Sequence, residues 1–544
     1  MPSMHRDLKR LSSDSFDLLV IGGGIHGLAA AYDAAQRGFS VALVERGDFG
    51  SGASFNHLKT IHGGLRYLQT GDLKRMRESI LERRTLARIA PHLLVPLPFL
   101  MPTYRKPTRS RLAMWVAFRA DALVGSDRND GVTPRLRLPA GRLLSRAECL
   151  AAFPDVRRKG LTGGALWHDY QVRNTDRLTL AFALAAAGAG ACVANHVEAV
   201  TPLIENGRAA GARVRDALTG ESFDVRARIT LNAAGAATGR LMAALGRHEP
   251  YPLIKAMNLV TRRSFAGPAL ASSTDDGRML FLVPWEGRAV AGTSHAPEPC
   301  GPDESAVSGR EMEWFIGQVN EAFPALRLAP ADVTLVHRGI VPAARSRKGE
   351  WGLEGHFRLR DHAIDGVDGA VSLVAVKYTT GRGVAEAAVD LVTRKLGRRV
   401  PSRTAQVPLP GGEVADLDVL QGLVRRDASG LLDDEVAAQL ALTYGSAYAA
   451  PLQVAREVPA LAARLAPDLS VIAAQAVHAV RDEMALTLTD LVTRRLPLGS
   501  AGHPGEAAAR ACAGLMAGEL GWDEARIERE LQALTDFYAP VAVS

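Results

Sequence analysis

The chain has 544 residues, 47% of them hydrophobic and 23% charged, so it can bury a large core and is too long for one ordinary domain. Sparse aromatics, 52 glycines and Ala-rich stretches such as 181–191 disfavour an all-β sandwich and predict an α/β class. The net charge of +7 is unevenly spread: residues 74–119 carry eleven Lys/Arg against Glu78 and Glu82, and the remainder is slightly acidic.

Residues 1–16 mix charged and small polar side chains without an apolar core, so no secretory signal is expected, and no run approaches 18 apolar residues. Cys149, Cys192, Cys300 and Cys512 lie far apart, without the spacing of a disulfide framework or a zinc site. A cytoplasmic protein without a metal site is the expectation.

Residues 16–21 form a short apolar run that stops at Gly22-Gly23-Gly24, the pattern of a buried parallel strand entering a tight turn. A helix over 25–37, capped by Gly38, and a second buried strand over 41–44 complete a βαβ unit. Basic and apolar residues then interleave through 93–101 and 112–118, a mixture suited to an anionic lipid surface or, equally, to a solvated basic face beside core helices. No nucleic-acid-binding pattern accompanies the charge. Strand-like segments over 191–200, 212–215, 279–283 and 289–292 predict a second mixed sheet threaded through the first domain. The Pro/Gly-rich stretch 401–413 reads as a linker between residues 1–400 and an all-α region over 414–544.

Gly22, Gly24 and Gly27 fit the spacing G-x-G-x-x-G, and Glu45 ends the second strand, where an acidic side chain would bind a ribose hydroxyl. Gly22 serves the tight turn, Gly24 the approach of backbone to a pyrophosphate, and Gly27 close helix–strand packing. Free N–H groups at the helix start attract phosphate. Glu45 repels a 2′-phosphate, which disfavours NADP but leaves NAD and FAD open. Two further segments bear on that choice: 228–236, a strand closing on small residues including Ala234 and Gly235, and Lys377-Tyr378-Thr379-Thr380-Gly381-Arg382-Gly383, which opens a helix.

Lys59-Thr60-Ile61-His62-Gly63-Gly64-Leu65-Arg66-Tyr67-Leu68, with Ala90-Pro91-His92-Leu93, Asn232-Ala233-Ala234-Gly235, and Glu483, Thr487, Asp490 and Arg494-Arg495 near the end, resembles the FAD-dependent, quinone-reducing glycerol-3-phosphate dehydrogenases. The resemblance runs from about residue 16 to the end. It implies a Rossmann-like FAD-binding domain interleaved with a mixed-sheet substrate domain, peripheral attachment to the cytoplasmic face of a membrane, and electron delivery to quinone. Hydride would pass from a carbinol carbon to the flavin while a basic group takes the hydroxyl proton. The cofactor shell implied is Gly22, Gly24, Gly27, Glu45, Arg46 and Ser54 on the nucleotide side. It continues through Lys59, His62, Gly63, Gly64, Val197, Ala234, Gly235, Gly339, Lys377, Thr379 and Thr380. Arg66 and Lys377 are first choices for a substrate phosphate, because guanidinium and ammonium groups neutralise and orient its oxygens. His62 either joins the site or bonds to backbone.

Departures from the family pattern cluster on the substrate side. Val341 stands where the family has an arginine, Asn258 where it has a histidine, Ala375-Val376 where it has Gly-Gly, and Gly381 where it has a tyrosine. Arg338 and Arg345 flank the lost arginine, and His295 offers a base. Altered substrate preference or weakened catalysis is therefore expected. An amine or amino-acid oxidase, and a flavin-holding but idle protein that binds a partner, stand as the alternatives. A homodimer through the helical region stays open.

Overall fold

The computed structural model describes residues 3–105, 110–173, 177–246, 251–346 and 349–539. Ser15–Ile21 is buried along nearly its whole length and pairs in parallel with Val41–Val44 on one side and Ser222–Asn232 on the other. Cys192–Ala194 and Ala370–Val374 extend this parallel core outward. Such strands are apolar throughout because helices cover both faces. Ile25–Gln36 is one such helix, packed between Arg177–Gly188 and Gly381–Lys395. The register sets Ile21 opposite Val44 and Asn232, so these strands end together along one edge, the place where open α/β sheets bind ligands.

The single strand expected over 191–200 is two, Cys192–Ala194 and Val197–Glu205, broken at His196, whose φ of 54° does not fit a ladder. Arg208–Asp216, Met279–Trp285 and Arg288–Pro299 run longer than the apolar alternation alone marked, and only the last two belong to the second sheet: Cys192–Ala194, Val197–Glu205 and Arg208–Asp216 join the first, through pairing with Val41–Val44 and Ser222–Asn232.

Among the described residues the second sheet has ten strands. Its middle order is Val333–Arg345, Leu253–Ser264, Arg288–Pro299 and Met279–Trp285, all antiparallel. Met257, Leu259 and Val336 face a core completed by Met312, Phe315 and Ile316 of the helix Gly309–Ala322. Alternation sends Asn258, Ala256, His337, Gly339 and Val341 to the other face, which overlooks the ligand edge of the first sheet.

Among the described residues no strand follows Val374, and helices run from Leu417–Ala428 to Glu524–Tyr538. The 401–413 stretch is irregular but is no free tether. Leu409 is buried in the first domain's core and donates its amide to the Ile89 carbonyl. Buried ion pairs join the helical region to the nucleotide side. Arg494 Nε and Arg495 Nη1 reach Asp48 Oδ2 at 2.6 and 2.7 Å, and Arg177 grips Glu483 through two 2.7 Å bonds. Burial alone would raise the Asp48 carboxyl, but Arg495 and Arg494 outweigh it and hold it far below the usual carboxylate range. Asp48, His196 and Asp490 approach closely enough to suit a cation, a demand these arginines already meet. Four of the C-terminal family matches, Glu483, Asp490, Arg494 and Arg495, thus act in this junction.

Candidate functional site

A cavity of about 1010 Å³ opens between the ends of the first sheet and the inner face of the second. Gly22, Gly24, Glu45, Arg46, Ser54, Ala234 and Gly235 line one end. Gly22 has φ of +109°, and a Cβ there would meet the Ala233 carbonyl oxygen at 2.6 Å, so no larger residue fits. A Cβ on Gly27 would fall 1.8 Å from the Gly22 carbonyl oxygen; Gly27 is outside the lining and sets how closely the helix approaches the strand. The helix start at Ile25 faces the cavity, and its amide donates to Ser54 Oγ at 3.0 Å. Glu45 accepts from the Gly23 amide (2.6 Å) and the Gly47 amide (2.8 Å). Burial raises its carboxyl, against the pull of those two amides. An acid held beside a glycine-lined helix N-terminus suits the ribose and pyrophosphate of an adenine dinucleotide. His26, not singled out from the sequence, also borders this end, with its Nε2 buried and unpartnered and its pKa lowered by burial to about 4.

Beyond this end the cavity continues past His62, Gly64, Gly339 and Thr379 to Lys377. Asp169 shapes the His62 loop. Its Oδ1 accepts the Gly63 amide at 2.6 Å and pairs with Arg83, while Trp167 Nε1 donates to its Oδ2 at 3.3 Å. A Cβ on Gly63 would lie 2.3 Å from Arg83 Nη1, so Gly63 turns away from the cavity to let that buried pair close over it. The His62 amide donates to Thr379 Oγ1 at 3.2 Å, tying the loop to the Lys377 segment.

Three more of the expected cofactor residues lie outside the lining together with Gly63 and Gly27. Lys59 is buried, its Nζ donating to the Phe55 carbonyl at 2.6 Å over that residue's ring. Val197 sits in the core, its amide bonded to the Glu45 carbonyl. Thr380 precedes the helix Gly381–Lys395 and bonds back to the Lys377 carbonyl. These four, Gly63 among them, support the cavity wall rather than face into it.

Arg66, His295, Arg338, His62 and Lys377, the expected chemistry-bearing side chains, border one cavity. Arg75 and Tyr67, which no local signal marked, join them. Around the Tyr67 ring stand Arg75 (4.4 Å to the centroid), Lys377 (4.6 Å) and Arg66 (5.8 Å). Lys377 Nζ also donates to Ser79 Oγ. Burial first, then Arg75 and Arg66, bring the Lys377 amine down to about 7. His62 falls to about 3 through burial, Lys377 and Arg66, and His295 to about 4 through burial and Arg66. Both rings are therefore neutral at neutral pH, each with a nitrogen lone pair that can accept a hydrogen bond.

The loss of charge at Val341 is not restored by its flanking arginines. Arg338 lies three residues away on an unbroken register, so alternation sets it on the face that carries Val336, opposite to that of Val341, although it borders the cavity as well. Arg345 is exposed and lies over the Trp351 ring. Asn258 is buried, accepting from Thr293 Oγ1 at 2.7 Å and donating to the Asn56 carbonyl at 3.4 Å. His295 is paired with Ala256, one strand over from Asn258 and on the same face.

Residues 17–387 match the FAD dependent oxidoreductase family, and 402–527 the C-terminal domain of alpha-glycerophosphate oxidase. A glycerol-3-phosphate dehydrogenase from Synechocystis is 31% identical over 98% of both chains. The chain belongs to the FAD-dependent glycerol-3-phosphate dehydrogenase family. The mitochondrial family member of Mus musculus is 32% identical over 98% of this chain and 75% of its own length. In fold, the Bacillus halodurans member solved with FAD superposes with a TM-score of 0.75 over 99% of this chain and 98% of its own, at 24% identity. Family membership resolves the choice that the βαβ unit left open: the dinucleotide is FAD and the chain is an oxidoreductase.

Proposed function

We propose that this oxidoreductase removes a hydride from sn-glycerol 3-phosphate or a close polyol phosphate, giving dihydroxyacetone phosphate from the former. The carrying observation is the convergence of Arg66, Arg75 and Lys377 on Tyr67 inside the cavity that holds the nucleotide cradle. Among the described residues the side chains of both arginines contact the Tyr67 ring and not a carboxylate, so their charge is available to a phosphate. Bound FAD supplies the two-electron acceptor. Gly22, Gly24, Ser54 and Glu45 would hold its adenosine diphosphate part, and the His62 loop with Lys377 and Thr379 its far end. Arg66 and Arg75 orient the substrate's anion. His295, neutral and on the same sheet face as Asn258, takes the hydroxyl proton. Phe99, Trp167 and Phe281, packed ring to ring along the same cavity, exclude water from the reacting carbon.

Quinone and a membrane complete the reading. Most of the basic, apolar segment 74–119 turns inward: Arg83 pairs with Asp169, Arg77 and Arg84 with Asp127, and Leu94–Tyr104 is a strand of the second sheet. Lys106 and Arg109 fall outside the described residues. What stays outward is one face of the helix Arg111–Val124, where Leu112 (70% exposed), Trp115, Val116 and Leu123 (80%) line up with Arg119. Its inner face, Met114 and Phe118, packs toward Leu65, Trp167 and Phe281 beside the cavity. That arrangement suits an anionic lipid surface at which an apolar quinone reaches the site. No helix among the described residues is long and apolar enough to cross a membrane. Anaerobic mixing of the FAD-loaded protein with glycerol 3-phosphate tests the reading: the flavin absorbance bleaches and a quinone restores it. A flavin that stays oxidised with every polyol phosphate overturns it.

A further inference from the structure

The face that meets the substrate carries two unlike surfaces side by side. One is the cationic group around Tyr67. The other is an apolar cluster in which Val341, Ala256, Ile254 and Ala343 pack with Leu353 and Val376. Val341, Ala256, Leu353 and Val376 line the cavity itself. The cations nearest in sequence do not enter this cluster. Lys255 alternates to the opposite face and pairs with Glu311 at 2.9 Å, and Arg338 alternates the same way. The two surfaces are neighbours. Val376 belongs to one and Lys377 to the other, and a Cβ on Gly355, two residues from Leu353, would lie 3.4 Å from Arg75 Nη1.

A second phosphate-binding arginine at position 341 would favour a small substrate polar at every carbon. An apolar wall there rewards a different molecule, because each buried methylene contributes about 0.8 kcal/mol, a factor of three to four in affinity. Resting on the function proposed above, we infer that the preferred substrate is a phosphate monoester that bears, on a carbon other than the esterified one, a free secondary alcohol and an apolar substituent. The phosphate is held by Arg66, Arg75 and Lys377, and the substituent rests on Val341, Ala256, Leu353 and Val376. Glycerol 3-phosphate fits the same site but leaves the apolar wall uncovered.

The test uses the FAD-loaded full chain and three unoxidisable probes, inorganic phosphate, ethyl phosphate and butyl phosphate, with affinity read by calorimetry rather than turnover. Butyl phosphate should bind about tenfold more tightly than ethyl phosphate. Val341→Thr, close in shape and without added charge, should shrink that advantage at least threefold while leaving inorganic phosphate binding unchanged. Val341→Arg should reverse the preference, favouring glycerol 3-phosphate over butyl phosphate. Equal affinity for the two esters, or an advantage untouched by Val341→Thr, overturns the inference. Either result leaves the broader reading intact, which fails instead if no polyol phosphate bleaches the flavin.

Discussion

The nucleotide end and the substrate end of the cavity are built under different constraints. At the nucleotide end the demands fall on backbone: Gly22 and Gly27 have no room for a Cβ, and Glu45 is pinned by two amides. Nearly any change there breaks the cradle, and the chain keeps the whole pattern. At the substrate end the demands fall on side chains standing on a sheet, where the pairing of Leu253–Ser264 with Val333–Arg345 runs unbroken through Asn258 and Val341. A fold can therefore keep its cofactor and change its substrate by altering a few residues on one sheet face.

The largest break is expected at the nucleotide end. Gly27→Ala places a methyl 1.8 Å from the Gly22 carbonyl oxygen, so the purified protein should lose its flavin absorbance, while Gly24→Ala, with only Ser54 Oγ at 3.2 Å, should retain part of it. Next comes the junction that supports that end. Asp48→Asn leaves Arg495 without its carboxylate and Arg494 with Asp490 alone, and should cost about 3–5 kcal/mol by chemical denaturation. Because the folded Asp48 titrates below its unfolded value of about 3.9, its contribution is present above that pH and is lost as pH falls below it. The variant should therefore lose less stability than the parent on acidification through that window.

Effects at the substrate end are smaller and confined to binding. Arg66→Gln and Arg75→Gln should each lower kcat/KM for a polyol phosphate roughly 10- to 100-fold, the worth of a charge-assisted bond, with the flavin spectrum unchanged. The Lys377 amine is cationic below about 7 and neutral above it, so phosphate affinity should fall as pH rises through that value. Lys377→Arg, charged throughout, should flatten the profile.

Sequence and structure agree best where local pattern and tertiary demand coincide. The βαβ unit was legible because its glycines and its buried strands are neighbours in the chain. The break at His196 was harder to place: Asn195-His196 interrupt the apolar run, but two polar residues alone do not tell a turn between two strands from an exposed stretch of one. Arg75 was also hidden: it lies on a helix of ordinary basic composition and reaches the site because Lys377, some three hundred residues on, meets Ser79 beside it. Lys59 shows the converse. A motif lysine invites a role at the cofactor, yet its ammonium is folded back on Phe55. Arg338 borders the cavity as expected, while strand alternation sets it on the face opposite to Val341, which closeness in sequence does not reveal.

The most direct measurement is an anaerobic titration of the FAD-loaded protein with glycerol 3-phosphate, alongside Arg66→Gln. Stoichiometric bleaching in the parent, with a much weakened response in the variant, is the result expected if the cation cluster and the nucleotide cradle form one site. An oxidised flavin in both proteins, or equal bleaching in the two, would contradict it.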